Sequence, residues 1–314
     1  MRFFNLGQPG QPDDPNAAQR KQESLRSLAG GGLPLNAVER LREQATTIAN
    51  AHRGFSSTLS INEQLLLRGI GVEVLGQVMG SSIYQIGFQY LPSWSGNSME
   101  LTALSEAYYA ARHLALNRMQ QEAALLGAHG VVGMQIVRRA LENSVLEFLA
   151  FGTAIKEPIR TYHQPGNLPF VSDLSGHDYY TLHQAGFRPV GFAFGCCVFC
   201  QVATWRTQMA SSPFGTGWMN QELTDFTQSL YQARERAMER MVHEALAVQA
   251  TGVIGSDIEV HHDFIAGDQY RNPAVIHYFT ALGTAIAPYP APDITPQIDL
   301  QLMMTDTAQQ LRGG

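Results

Sequence analysis

Apolar residues at Ala111, Ala115, Met119 and Ala123 recur at helical spacing, with Glu122 among them, so all five share one face of a helix. Ala233, Ala237, Met241, Glu244 and Ala245 lay out the same face later in the chain. A stripe of alanines lets a helix sit close against a sheet, and the pattern predicts two helices of about 24 residues, roughly 36 Å each. Ahead of the first, VEVLGQVMGSSIYQIGF (Val72–Phe88) alternates apolar and polar residues, as a half-buried strand does. Ahead of the second, PVGFAFGCCVFCQVATW (Pro189–Trp205) carries no charge for 17 residues. Its opening Pro, its two glycines and its Gln favour a buried strand over a membrane helix, although Gly191 and Gly195 have the spacing of a membrane helix-dimer motif. Each helix is followed by an apolar strand, VVGMQIV or VIGSDIEV, and then by a strand ending in Gly-Thr-Ala-Ile.

These elements come in two collinear copies. An offset of 115 aligns Phe55–Tyr84 with Phe170–Phe199 and matches Ser57 with Ser172, Gly76 with Gly191 and Gly80 with Gly195. An offset of 122 aligns Ala111–Ile136 with Ala233–Ile258, with 12 identities in 26 positions. An offset of 131 aligns FLAFGTAI (Phe148–Ile155) with FTALGTAI (Phe279–Ile286). The period is that of a duplicated domain, not a short-repeat solenoid. The glycines four apart in strand-like sequence predict bulges or sites where another backbone comes close.

The organisation expected is a flexible tail over 1–34, an N-terminal helix over 35–53, a first repeat over 54–156, a linker over 157–169, a second repeat over 170–288 and a tail over 289–314. Part of 17–29 has short-helix character. Asn36 suits an N-cap, with Val38, Leu41, Ala45 and Ile48 forming an apolar stripe behind it. In the last segment QIDLQLM alternates like an edge strand.

Charge changes the picture next. Charged residues make up 15% of the chain, against roughly 25% in typical soluble domains, so a large subunit interface is plausible. A net charge of −6 and the lack of a Lys/Arg cluster argue against nucleic acid as a partner. The opening MRFFNLGQPGQPDDPN has no apolar core of a secretory signal. Its three cysteines are too few for a disulfide framework, so a reduced, cytoplasmic protein is expected.

Two clusters offer metal chemistry. Cys196, Cys197 and Cys200 lie in GCCVFC, and Cys197-x-x-Cys200 has the spacing of half a zinc site. On a strand, however, Cys197 and Cys200 point to opposite faces, and buried cysteines also pack as small apolar residues. His261 and His262, in HHDF, are expected in a loop that either binds a transition metal such as zinc or is simply solvated. Arg118/Glu122 and Arg240/Glu244 recur at i, i+4 and read as structural ion pairs, since no nucleophile or oxyanion donor accompanies them. No phosphate loop, nucleophile elbow or dinucleotide fingerprint occurs.

The long helix, LGAHGVVGMQI and the closing FGTAI resemble the YbjQ-like heavy-metal-binding family over about Phe55–Lys156 and, more loosely, Phe170–Pro288. The acidic position of that family's usual turn is His129 in one copy and Thr251 in the other. The resemblance implies an α+β fold of two repeated β/α domains, each a small, mostly antiparallel sheet with one long helix (YbjQ/dodecin-like), assembling into pentameric rings. Five is odd, so the two copies could not alternate around one such ring; first copies and second copies would form separate, stacked rings. The function expected is a non-enzymatic, ring-forming homo-oligomer of five chains that acts as a scaffold or binds a metal or small ligand at subunit boundaries. The alternatives are a metal-dependent sensor or storage protein using Cys197 and Cys200, and an enzyme whose site forms between subunits.

Overall fold

A computed structural model of the chain describes residues 17–49, 56–87, 97–141, 145–158, 168–211, 219–267 and 272–288. The C-terminal stretch with QIDLQLM, most of the interdomain linker and the first 16 residues lie outside them.

Each repeat builds the same unit. A Ser60 side chain and Glu63 form a capping box that starts helix α3 (Ile61–Gly69), after the N-terminal helices α1 (Ala17–Ala29) and α2 (Leu35–Ala49). Strand β1 (Glu73–Gln85), the short β2 (Ser98–Glu100), helix α4 (Thr102–Leu125) and the hairpin β3 (Gly130–Leu141) and β4 (Val145–Lys156) complete the first copy. The second copy gives β5 (Phe170–Val171), α5 (Gly176–Gln184), β6 (Phe187–Val202), α6 (Trp205–Ser211), α7 (Thr224–Ala247) and the hairpin β7 (Gly252–Ile265) and β8 (Ala274–Pro288). Ser175 caps α5 as Ser60 caps α3. The fold class is the α+β class expected, with α4 and α7 each 24 residues long.

The glycines four apart do what their spacing predicts. Register shifts fall at Val74/Gly76 in β1 and at Pro189/Gly191 in β6. A Cβ on Gly80 would lie 2.0 Å from the Ala115 carbonyl oxygen, and one on Gly195 would lie 1.7 Å from that of Ala237. The helix backbone therefore rests directly on the strand, which explains the alanine stripes.

The sheets do not respect the repeat boundary. Sheet one runs β1-β4-β3-β5 and sheet two β2-β6-β8-β7, so each repeat lends a short strand to the other's sheet. Gly133 permits part of this exchange. It adopts a positive φ of 60° at the bulge in β3, and its N–H is thereby aimed at the Leu174 carbonyl, 2.8 Å away in the second repeat.

One core crosses the boundary as well. Leu104, Tyr108 and Ala111 of α4 share it with Phe194, Cys196, Val198 and Cys200 of β6, whereas Ala193, Cys197 and Phe199 face α7 from the other side of that strand. The layers run sheet one, α4, sheet two, α7. The two repeats pack directly against each other within the chain through this shared core. The physical reason is that α4 is apolar on two faces, one for each sheet.

Two further expectations change. Residues 17–34 are not all flexible tail: α1 and the turn after it dock on α4, where Arg118 donates to the carbonyls of Leu28 (2.9 Å) and Gly32 (3.1 Å). His261 and His262 lie inside β7, not in a loop, because the hairpin pairing continues to Ile265.

Candidate assembly interface

The joint between the repeats is built from side chains that α4 and β2 aim at β6. The backbone of β2 pairs with Phe199–Gln201, and the Leu101 N–H donates to the Val198 carbonyl at 2.8 Å. The Ser105 hydroxyl accepts the Val198 N–H at 3.0 Å. One turn on, the Tyr109 hydroxyl donates to the Phe194 carbonyl at 3.2 Å and accepts the Cys196 N–H at 3.1 Å. These contacts satisfy an exposed strand edge that would otherwise invite other chains. Glu100 takes hydrogen bonds from Arg236 (2.9 Å) and Arg240 (2.6 Å) of α7. Burial alone would raise the Glu100 pKa; bonds from Arg240, Ser105 and Arg236 outweigh it and hold the carboxyl below its ordinary range.

Arg112 is the least comfortable member. Its guanidinium lies 3.2 Å from the centroid of the Phe194 ring and 5.0 Å from that of Phe192, and its Nε and Nη2 have no hydrogen-bond partner among the described residues. Burial pushes its pKa down to about 9.

At the far side of the joint, Ser172 donates to the Val131 carbonyl (2.9 Å) and accepts from Met134 (3.1 Å) through its backbone, and the Gly176 N–H at the start of α5 donates to Glu63 at 3.0 Å. A cleft of about 300 Å³ opens between the repeats, lined by Arg138 from the first and by Glu259, Val260, His261, Tyr278 and Thr280 from the second.

The recurring acid–base pairs do not pair within their helices. Glu122 accepts the Met79 N–H and Glu244 the equivalent Phe194 N–H, each pinning its helix to its own sheet. Their side-chain partners come from elsewhere: Arg40 of α2 forms an ion pair with Glu122 at 3.3 Å, and His113 of the first repeat lies within hydrogen-bond distance of Glu244 at 3.0 Å.

The metal-candidate residues are scattered. Cys196, Cys197 and Cys200 are all buried as free thiols. Cys196 and Cys200 face the shared core, while Cys197 faces α7. Burial pushes Cys196 and Cys197 up to about 12 and Cys200 up to about 11, the opposite of what a thiolate ligand needs. The cysteine set does not fit a metal. His261 sits 3.2 Å from Asp263 on an exposed strand. His262 approaches a histidine that sequence reasoning missed: the Nδ1 atoms of His262 and His277 are 2.8 Å apart, and His277 Nε2 is 2.8 Å from the Ser229 hydroxyl. Two imidazoles are half of a structural zinc shell. Among the described residues no group of three or more His, Cys, Asp or Glu side chains is placed to hold a metal ion.

The family model described as "Putative heavy-metal-binding", YbjQ, matches residues 56–157 and 213–287. The chain belongs to the YbjQ family. Its two matches fall on the two copies, so the chain is a tandem duplication of the YbjQ domain, although the segment carrying β5, α5 and β6 precedes the second match. The encapsulin nanocompartment protein of Mycobacterium tuberculosis is 40% identical over 243 residues, covering 76% of this chain and 88% of that protein. A UPF0145 protein of Helicobacter hepaticus is 37% identical over 87 residues, 27% of this chain and 84% of its own length. One from Clostridium perfringens is 35% identical over 86 residues, 26% of this chain and 81% of its own length. The small relatives thus match a single YbjQ unit, and the mycobacterial protein matches most of the tandem. None of the described helices is long and apolar enough to cross a membrane.

The joint residues Glu100, Ser105, Tyr109 and Arg112 went unnoticed in the sequence. A signal was available: Arg112 and Arg234 already match within the aligned block, and extending the repeat upstream of Ala111 would have paired Glu100, Ser105 and Tyr109 with Glu222, Thr227 and Tyr231.

Proposed function

We propose that the chain is a non-enzymatic scaffold or shell subunit that assembles with copies of itself, in the cytoplasm, without nucleic acid. One observation carries the reading: the two equivalent helices are buried unequally. Helix α4 buries Leu104, Tyr108, Arg112 and Leu116 against the second sheet in addition to its own stripe, whereas α7 buries little beyond Ser229, Ala233, Ala237, Met241 and Ala245. An element built to be covered on two faces is covered on one. The mycobacterial relative, named for a nanocompartment, supports a shell-forming role.

Closed rings are the natural outcome of a repeated heterologous contact. If first and second copies alternate around a ring, it holds an even number of domains; five chains, the number the resemblance implies, supply ten. Light scattering on the untagged full-length protein tests the reading. An assembly of several chains is expected, and a species of 34.5 kDa would overturn it.

A second reading has the His262–His277 approach in its favour: this pair, with His261 nearby, would bind a transition metal such as zinc once another chain supplied further ligands. Elemental analysis of the assembled protein, with His262→Ala as control, decides it. Metal below one ion per chain, unchanged by the substitution, rejects it.

A further inference from the structure

The joint inside the chain is head-to-tail, and only one of its two possible copies is made. The first repeat contributes α4, β2, Glu63 and the β3 edge; the second contributes β6, the β5 segment and the start of α5. The matching set at the tail of the chain is α7, the residues just before it, Asp178 and the β7 edge. The matching set at the head is β1, residues 56–59 and the start of α3. Neither set meets the other within the chain.

The unused residues keep the chemistry of the used ones. Tyr231 stands where Tyr109 does, Thr227 replaces Ser105 hydroxyl for hydroxyl, Glu222-Leu223 repeats Glu100-Leu101, and Asp178 replaces Glu63. At the head, Met79, Ser81 and Ile83 correspond to Phe194, Cys196 and Val198. Tyr231, Met79 and Ile83 are 58%, 46% and 68% exposed, while Phe194 and Val198 are 2% and 0% exposed. Tyr231 makes no hydrogen bond among the described residues. On β7, Ile258 and Val260 are exposed where Ile136 of β3 packs on the shared core. Beside the head, Ile61 and Leu65 line an open groove of about 450 Å³, on the surface equivalent to the α5 face that carries Tyr179, itself buried in the joint.

Charge fits too. The internal joint pairs His113 with Glu244; the open ends would bring Glu235 to Glu122, two carboxylates. Arg40 already pairs with Glu122 at 3.3 Å, so the carboxylate that Glu235 would approach carries a cation.

We infer that the tail of one chain docks on the head of a second copy by repeating the internal joint: Tyr231 bridges the Met79 carbonyl and the Ser81 N–H, Thr227 takes the Ile83 N–H, Asp178 takes the N–H of Ile61, and residues 57–59 pair along β7 at Val253–Gly255. This rests on the self-assembly reading and names its contact surface. The edge of β7 and the exposed side chains at both ends are covered in the same step.

The test uses two full-length variants changed only at exposed or partly exposed positions: a dead head, Met79→Asp with Ile83→Asp, and a dead tail, Thr227→Asp with Tyr231→Asp. Each variant alone is expected to run as a single chain. An equal mixture is expected to give a species of twice that mass and nothing larger, because one live head meets one live tail. A variant that assembles like the parent, or a mixture that stays single, overturns the docking surface while leaving self-assembly standing; a parent protein that is itself a single chain defeats the self-assembly reading instead. As a second measurement that does not depend on breaking the contact, Ile83→Cys with Thr227→Cys is expected to cross-link chains into a ladder on oxidation. No cross-link in an assembled sample overturns the inference.

Discussion

The hydroxyl of Tyr109 donates to the carbonyl of Phe194, 3.2 Å away, across the boundary between two domains that arose by copying. The same oxygen accepts the Cys196 N–H. One side chain thus satisfies a donor and an acceptor on the edge of β6, at a partly buried position against the shared core. Removing the hydroxyl in Tyr109→Phe leaves both backbone groups buried without that partner, which costs about 1–3 kcal/mol. Chemical denaturation is expected to show the midpoint falling with the slope unchanged. A midpoint within error of the parent would show that the bridge contributes nothing.

The close approach of helix to strand makes its own prediction. At Gly195 an added methyl would fall 1.7 Å from the Ala237 carbonyl oxygen, a backbone atom that cannot swing away. Gly195→Ala must therefore push α7 off β6, costing about 3 kcal/mol or more. The variant is expected to melt well below the parent, while Gly69→Ala, where an added methyl meets nothing within 4 Å, is expected to cost far less.

These glycines were legible in the sequence because a strand tolerates glycine poorly without a reason, and the reason recurred at an offset of 115. The alanine stripes and the order of elements were legible for the same cause: local periodicity and duplication reinforce one another. The joint was not. Nothing in one sequence says that α4 has a second face to bury, since Tyr108, Tyr109 and Arg112 read as ordinary amphipathic positions until the partner sheet is known. The histidines misled for a different reason. Asp, His and Gly after a strand look like a turn, yet cross-strand pairing of His262 with His277 extends the hairpin past them. Likewise the turn after α1, AGGGLP, has a glycine-rich sequence of linker type, yet its carbonyls accept from Arg118 and Gln121 of α4 and Leu33 is buried in the core.

Arg112 is a buried cation set against ring faces, and its Nε and Nη2 find no hydrogen-bond partner among the described residues. Methionine has a similar length, no charge to desolvate and favourable contacts with aromatic rings. Because replacing buried charge with apolar volume is often neutral or stabilising, Arg112→Met is expected to hold or raise the melting temperature, by up to a few degrees. Arg112→Ala is expected to lower it, through the cavity left against Phe194. Scanning calorimetry on the two variants separates charge from volume.

Burial keeps the three thiols protonated at neutral pH, with Cys196 and Cys197 at about 12. The thiolate is the reactive form. Folded protein at pH 8 is therefore expected to resist a thiol-specific reagent, and denatured protein to react at all three cysteines. Rapid labelling of the native chain at any one of them would contradict the packing role assigned to GCCVFC.

The Ser229–His277–His262 chain is where the second repeat departs from the first, which has Ala107, Leu146 and Ala140 at the matching places. Burial, aided by His262, pulls His277 down to about 4 from an ordinary 6.5. A depressed histidine is neutral in the fold but takes up a proton in the unfolded chain below about pH 6.5. Between pH 6.5 and 4 the unfolded state thus binds more protons, so stability is complete above 6.5 and declines as pH falls through that window. Substituting all three positions by their first-repeat counterparts, Ser229→Ala, His262→Ala and His277→Leu, removes the titrating group together with the polar partners it would strand. This variant is expected to match the parent at pH 7.5 and to exceed it at pH 5, where the parent has lost His277's contribution. Thermal unfolding of both proteins across that range checks it; parallel losses in parent and variant would place the acid sensitivity elsewhere, and not at Glu100, whose depressed carboxyl loses its contribution only below the ordinary glutamate value of 4.5.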